Sequence, residues 1–316
     1  MSGISDAART LLALILARLA RLSSARAGVA LVYHRVGGPG GSEDFEILAA
    51  VSGADFERQL RHLAGSYRVV AAPDLLEAVE SRRRGERFPV AITLDDDLAS
   101  HVLYALPALQ ASGLTATFFL AGEGHRHYWW EDLQCAVDKG LLRADGLPHV
   151  PAAAVRSAVA REPRAILDLA GAIVRLEPHQ RREVAAALRE AVGDEQDEES
   201  LGREGVRALS AAGCTIGFHT LAHEPLPALP DDELARALRD GRDELGPGVN
   251  TIAYPHGKAD QRVADAAKAA GYVCAFTSAR GPVTPTTHPF LIPRTVADLS
   301  APALALRLAR MFLGVH

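Results

Sequence analysis

Two histidines four residues apart directly follow an apolar stretch that is typical of a β-strand. They are His219 and His223, and the stretch before them is residues 214–218 (CTIGF). A four-residue step would place both imidazoles on one side of a helical turn, close enough to share an ion. Two imidazoles and one carboxylate form a common site for a divalent metal. A pair of surface or capping histidines is the alternative interpretation.

Three consecutive carboxylates, Asp95, Asp96 and Asp97, follow a second strand-like stretch, residues 90–94 (VAITL). Neighbouring residues leave a strand on opposite sides, so one carboxylate could bind the ion while the other faces water beside it. A carboxylate within hydrogen-bond reach of water activated by a metal can remove its proton. A solvated acidic turn or the first turn of a helix is the alternative, and it explains Asp97 at least as well.

Two further histidines also follow strand-like stretches. His34 comes after residues 29–33 (VALVY), and His256 lies beyond residues 251–254 (TIAY), after Pro255. The carboxyl ends of parallel strands converge on one face of a barrel, where active sites lie. The pattern therefore predicts that these side chains share one site.

Strand-like and helix-like stretches alternate about seven times, which predicts a mainly parallel α/β sheet, either open or closed. From about 130 to 205 the chain is instead rich in Ala, Arg, Leu and Glu, which predicts helices inserted between two strands. We divide the chain into an N-terminal helix over 1–28 and one domain over 29–316. The remaining predicted strands are 67–70, 115–120 and 272–277, and the predicted helices are 55–63, one from 73, 101–112, 231–245, 260–270 and 301–312. A last apolar stretch, 290–292, precedes the final helix.

The composition is that of a soluble globular protein, with 48% hydrophobic and 23% charged residues. A formal net charge of −5 argues against nucleic acid as a partner. Three cysteines without a CxxC pair predict neither a disulfide framework nor a zinc finger.

The N-terminal stretch 10–17 (TLLALILA) is apolar but too short to cross a bilayer. Arg18 and Arg21 interrupt the pattern that a signal peptide would need, so we expect a cytoplasmic protein rather than a secreted one. The stretch could form a surface amphipathic helix that rests on a membrane, or a helix packed on the domain.

Several of these stretches resemble the motifs of the polysaccharide deacetylases, which form carbohydrate esterase family 4 or the NodB-like group. Residues 93–97 (TLDDD) resemble its T-F-D-D-G motif, and residues 219–223 (HTLAH) resemble its H-S/T-x-x-H motif. Residues 254–257 (YPHG) resemble its third motif, written R-P-P-Y-G or Y-P-Y-G. The opening stretch 32–36 (VYHRV) resembles the subgroup that acts on poly-N-acetylglucosamine-type surface glycans. The resemblance covers roughly residues 29–130 and 205–295.

This resemblance implies a distorted (β/α) barrel, shorter than the full eightfold one, with a helical insertion. It implies a divalent ion, with zinc the first choice, held by Asp96, His219 and His223, and Asp95 as the catalytic base. It also implies that a backbone N–H near the third motif stabilises the oxyanion of the reaction. The residues in question are Tyr254, Pro255 and His256.

Three departures from the family pattern stand out. Asp97 replaces the glycine after the two aspartates, and a third carboxylate would raise neighbouring pKa values unless it turns away. Ala253 occupies the position of the missing arginine, and Arg294 could orient Asp95 instead or lie on the surface. The late histidine that serves the family as general acid has no clean counterpart. For that role His34 is the first candidate and His288 the second, with a buried structural histidine as the alternative for His34.

The sequence thus predicts hydrolysis of an N-acetyl group from an amino sugar in a surface glycan or its lipid-linked precursor. One alternative is a small non-sugar amide as substrate, which a closed pocket would favour. Another is a non-catalytic glycan-binding relative whose site Asp97 has spoiled. Trp129 and Trp130, at the start of the insertion, could stack on a sugar ring or cap the barrel core.

Overall fold

The computed structural model describes residues 6–37, 41–121, 128–143, 146–193, 201–297 and 300–314. Within them lie eight strands: β1 Val29–Tyr33, β2 Arg68–Val70, β3 Pro89–Asp95, β4 Thr117–Leu120, β5 Thr215–Phe218, β6 Thr251–Ala253, β7 Cys274–Phe276 and β8 Arg294–Val296. All their pairings are parallel, in the order β7-β6-β5-β4-β3-β1-β8, and β2 pairs with the first half of β3.

The chain before β8 brings the two edges of this sheet together. Ile292 forms a parallel bridge to Phe276 of β7, and two residues later β8 pairs with β1. The sheet therefore nearly closes, and the predicted distorted (β/α) barrel is confirmed. The apolar stretch 290–292 contributes this bridge through Ile292, and the last strand, β8, follows at Arg294.

Twelve α-helices surround the strands in the described residues. They are α1 Asp6–Ala20, α2 Gly53–Ser66, α3 Leu75–Ser81, α4 Leu106–Ala111, α5 Trp129–Asp138, α6 Ala152–Val159, α7 Ala165–Val174, α8 Pro178–Val192, α9 Gly202–Ala211, α10 Asp231–Ala237, α11 Gln261–Ala269 and α12 Ala301–Leu313. None of the described helices is long and apolar enough to span a membrane. The helix predicted over 231–245 is wrong in length, since Gly241 adopts a left-handed conformation and a short 3-10 turn follows.

Side chains alternate between the two faces of the barrel strands. Ala30, Ala91 and Phe119 belong to a cluster inside the barrel, whereas Leu31 and Ile92 belong to the cluster under the helices. Since successive residues of a strand point to opposite faces, the inward set of β1 continues to position 34 and that of β3 to position 95. The alternation therefore places the polar side chains of His34 and Asp95 inside the barrel, at the carboxyl ends of its strands.

Helices α5 to α9 lie between β4 and β5 in the sequence, although those two strands are neighbours in the sheet. Four of them, α5 to α8, enclose a hydrophobic core of their own, which includes Leu133, Leu169, Ile173, Val184 and Leu188. The insertion is thus a packed helical unit seated between adjacent strands.

Candidate active site

Asp95 and Asp96 stand together at the carboxyl end of β3, and each is only 2% exposed. Asp95 is the last residue of the strand and points inward. Asp96 adopts a left-handed backbone conformation, with φ of 72°, which an L-residue seldom takes. This turn brings the second carboxylate into the same pocket. The expectation that the two would leave the strand on opposite sides is wrong.

His219 and His223 meet in a loop after β5 and not on a helical turn. Thr220 and His223 both have positive φ values, which fold the loop back on itself. The two imidazole Nε2 atoms lie 3.2 Å apart. Asp96 Oδ1 lies 3.8 Å from the first of them and 3.6 Å from the second. The predicted proximity exists, therefore, but its predicted helical origin is wrong.

The donor atoms of Asp96, His219 and His223 fit a divalent metal ion. Tetrahedral ligands about 2.0 Å from a common zinc ion lie roughly 3.3 Å from one another, close to the distances above. Asp96 Oδ1 is buried and has no hydrogen-bond partner. His219 Nδ1 donates to the Ala253 carbonyl at 2.7 Å, which leaves the lone pair of Nε2 facing Asp96. Each of these features is one that a cation would complete.

The electrostatics of the three groups lead to the same conclusion. Burial lowers the pKa of His219, and it lowers that of His223 further, so both rings are neutral, as ligation requires. Burial and the neighbouring Asp95 raise the pKa of Asp96 well above its usual range. A positive charge between these residues would relieve the cost of the buried carboxylate.

Arg294 holds Asp95 through two parallel hydrogen bonds. Its Nη1 lies 2.6 Å from Oδ1 and its Nη2 lies 2.7 Å from Oδ2, and the guanidinium is 2% exposed. Arg294 starts β8 at the level of Ala30, so its side chain runs up inside the barrel to reach Asp95. Burial alone would raise the pKa of Asp95, but Arg294 and then His219 bring it to about 2. The surface position that the sequence left open for Arg294 is therefore wrong.

Asp97 turns away from the other two carboxylates. Its side chain accepts hydrogen bonds from the Ala121 backbone N–H, at 3.1 Å, and from the Tyr128 hydroxyl, also at 3.1 Å. It is buried and does not line the pocket that contains Asp95 and Asp96. The residue that replaces the motif's glycine thus fastens the start of the insertion to β3.

Of the two candidates for the general acid, His34 lines the pocket and His288 does not. Burial lowers the pKa of His34 to about 4, so its ring is neutral near pH 7. Its carbonyl accepts a hydrogen bond from Nε2 of His101, at 3.1 Å. His288 instead accepts a hydrogen bond from the Phe290 N–H.

The third motif contributes less to the site than the sequence predicts. The Tyr254 N–H donates to the Phe276 carbonyl and its hydroxyl donates to the Phe290 carbonyl, so both donors are engaged in the barrel wall. Pro255 has no N–H. His256, at φ of 55°, lines the pocket with its ring centroid 4.7 Å from that of His223. The oxyanion role is wrong for Tyr254 and for Pro255, and His256 alone retains it as a prediction.

The polar side chains of the site line a cavity of about 280 Å³; they are His34, Asp95, Asp96, His219, His223, His256 and Arg294. Trp130 stacks on Tyr128 and contacts His223, with ring centroids 4.4 and 4.5 Å away. Apolar residues of the helical insertion and of the loop after β1 also line the cavity. Sequence reasoning missed them because such residues form no motif. The additional apolar lining residues are Ile47, Leu48, Ala170, Gly171 and Val174.

Residues 179–275 match the family model described as polysaccharide deacetylase, a little under a third of the chain. This segment includes the two histidines and the third motif, and it leaves out Asp95 and Asp96. Among curated protein sequences, none matches the chain significantly.

Solved structures of low sequence identity share the fold. IcaB from Ammonifex degensii superposes with a TM-score of 0.59 at 19% identity, covering 91% of this chain and 98% of that one. The Streptococcus pyogenes deacetylase PplD, in complex with acetate, gives 0.57 at 15% identity, with coverage of 89% and 97%. A de-N-acetylase from Aggregatibacter actinomycetemcomitans gives 0.53 at 14% identity, with coverage of 86% and 95%. The segment around the histidine loop is thus similar to the polysaccharide deacetylases, and the barrel that contains it has the fold of these solved deacetylase structures.

Proposed function

We propose that the protein is a metal-dependent deacetylase that removes the N-acetyl group from an amino sugar in a surface glycan or its precursor. The observation that carries this proposal is the triangle of Asp96, His219 and His223 beside the Asp95–Arg294 pair in one pocket. Three ligands with room for further positions are typical of catalytic rather than structural metal sites. Zinc is the first choice, because two imidazoles and one carboxylate suit it.

When bound, the ion would polarise the acyl carbonyl and make water more acidic. Asp95 would accept the proton as the amide is attacked, because it is ionised and its Oδ2 lies 3.8 Å from His219 Nε2 at the edge of the triangle. With a pKa near 2 it is a weak base, so it would hold that proton only in transit. Arg294 keeps the carboxylate oriented and charged before and after the transfer.

Protonation of the departing amine falls to His34 in this proposal. The ring is neutral near pH 7 and lines the same pocket as Asp95, so it would take the proton that Asp95 has accepted from water and deliver it to the amine nitrogen as the C–N bond breaks. The backbone N–H of His256 is the protein's contribution to the developing oxyanion.

The test measures acetate release by the purified protein, with zinc, cobalt or manganese restored, from acetylated chito-oligosaccharides. Asp95→Asn should still bind metal, as elemental analysis would record, and should lose turnover. Full activity of Asp95→Asn would overturn the assignment of the base. Failure of the unmodified protein to bind any divalent ion would overturn the enzymatic proposal itself.

A small or apolar acylated amine is a second candidate substrate, and one observation favours it. The pocket beside the metal triangle is walled by Trp129 and by Ala170, Gly171 and Val174 of α7. Walls of this kind exclude water and contact apolar groups, whereas a long polysaccharide needs an open groove. Offering short-chain acyl hexosamines and non-sugar acetamides beside the oligosaccharides would separate the two candidates.

A further inference from the structure

Helix α1 packs against the domain through its smallest side chains. Ala13, Ala17 and Ala20 are at most 4% exposed, and the first of them packs against Ala305 and Ala309 of α12. A helix on the surface of a soluble protein usually buries its large apolar residues and exposes its small or polar ones. Here the small residues form the contact, so the large ones face outwards.

The outward face of α1 carries a stripe of large apolar side chains. Leu11 is 60% exposed, Ile15 is 48%, Leu19 is 53%, and Leu22 just beyond the helix is 60%. Steps of four, four and three residues place them on one side of the helix. Leu12 and Leu14, at 38% and 37%, widen the stripe. Exposed apolar side chains grouped in this way mark a binding site. The exposed Arg18, four residues after Leu14, lies among them.

The charge around this stripe is positive in a chain whose net charge is −5. Residues 1–28 contain four arginines, of which Arg9, Arg18 and Arg26 are exposed, against one acidic residue, Asp6. Helix α12 beneath adds two further arginines and no acidic residue. Burial lowers the pKa of Arg21, and the nearby positive charges of Arg87 and Arg18 lower it further, so positive groups gather at the end of α1.

We propose that α1 binds the surface of a membrane that contains anionic lipids. The leucines and Ile15 would enter the boundary of the acyl chains, and the arginines would lie among the headgroups with their stems along the apolar layer. A second copy of this chain fits less well. A symmetric contact through the same patch would set one positively charged face against another.

The experiment is flotation of the full chain with vesicles of phosphatidylcholine, with and without phosphatidylglycerol. The protein should float with the anionic vesicles, and added salt should release it. Leu11→Ser, Ile15→Ser and Leu19→Ser together should abolish flotation. Arg9→Gln, Arg18→Gln and Arg26→Gln together should weaken binding on the order of 100-fold, since each arginine near an anionic surface contributes about a factor of five.

The matched control replaces three exposed apolar residues elsewhere, Leu103, Val159 and Val273, with serine. It should float like the unmodified protein, and circular dichroism should show that all variants are folded. Equal flotation of the α1 serine variant and the control would overturn the proposal. A second result would also overturn it: the unmodified protein forms a dimer in light scattering and does not bind vesicles, and the α1 serine variant is a monomer. The patch would then bind a second copy of the chain.

Discussion

At the scale of single residues, the site depends on how three carboxylates in a row acquire three different environments. Asp95 is paired with Arg294, Asp96 faces two imidazoles without a hydrogen bond to its Oδ1, and Asp97 is tied to a backbone N–H and a tyrosine. The left-handed turn at Asp96 separates them. Asp97 points away from the pocket, although its charge still adds to the effects of burial and of Asp95 that raise the pKa of Asp96.

The pairing of Asp95 with Arg294 leads to a prediction about pH. The folded pKa of Asp95 is about 2, below the 3.8 of an unperturbed aspartate. The ionised pair therefore stabilises the protein fully above pH 3.8, and this stabilisation is lost as pH falls through 2. In Arg294→Met, burial would instead raise the pKa of Asp95. We expect the acid limb of the pH profile of kcat/KM to move to higher pH, and turnover to fall about 10- to 100-fold.

The same variant should also be less stable at neutral pH, by about 3–5 kcal/mol, because it leaves a buried carboxylate without its partner. Urea unfolding measures this loss. Arg294→Lys, which keeps a charge but not the planar fork, is the control and should fall between the two proteins. An unchanged acid limb in Arg294→Met would contradict the assigned role of the arginine.

At the scale of elements, the sequence predicts the strands better than the loops between them. The strand ends placed His34, Asp95 and His219 correctly, because side-chain alternation and the convergence of parallel strands are local rules. The loop after His219 does not follow such a rule, since positive φ values at Thr220 and His223 depend on the surroundings. Sequence alone therefore indicated which residues meet, but not by what backbone path.

Arg294 illustrates what sequence reasoning could not settle. Its contact with Asp95 spans 199 residues and exists only because the chain before β8 closes the barrel. No local sequence pattern predicts that the barrel closes in this way. The walls of the pocket are a second example, since α7 reaches the site through the packing of an insertion whose residues carry no motif.

Helix α7 gives a prediction about the role of the insertion. Gly171 lines the pocket, and a Cβ there would meet only Arg175 Nη1, at 3.5 Å. Gly171→Ala should therefore be tolerated and should stabilise the protein by up to about 1 kcal/mol, because glycine disfavours helix interiors. Gly171→Leu should keep the helix but occupy the pocket, and we expect KM to rise several-fold with the metal content unchanged.

Steady-state kinetics and thermal unfolding of the two variants separate pocket effects from helix effects. The alanine variant is the matched control, since it changes the helix without filling the cavity. If the leucine variant has the KM of the alanine variant, then α7 does not contact the substrate. That result would favour an open groove, and hence a polymeric glycan, over a small acylated amine.

At the scale of the whole molecule, the triangle of Asp96, His219 and His223 joins parts of the chain that are far apart in sequence. Asp96 follows β3, and the two histidines follow β5, with the entire helical insertion between them. An ion bound by these three side chains would therefore clamp the barrel around the insertion. Binding that occurs only in the folded state must stabilise that state by mass action.

This coupling predicts that zinc reverses the order of thermal stability of the unmodified protein and Asp96→Asn. With zinc at a hundred times its Kd, the unmodified protein should gain about 2.7 kcal/mol, on the order of 5 °C in Tm. Without metal, the raised pKa of Asp96 means that ionising it in the fold is unfavourable, so stability falls as pH rises above 3.8 towards the folded pKa. The neutral amide of Asp96→Asn avoids this cost, so the variant should match or exceed the unmodified protein in chelator. Thermal scans in chelator and in zinc measure the Tm of both proteins, and the protein with the higher Tm should differ between the two conditions. If the Tm of Asp96→Asn rises in zinc as much as that of the unmodified protein, Asp96 is not a ligand.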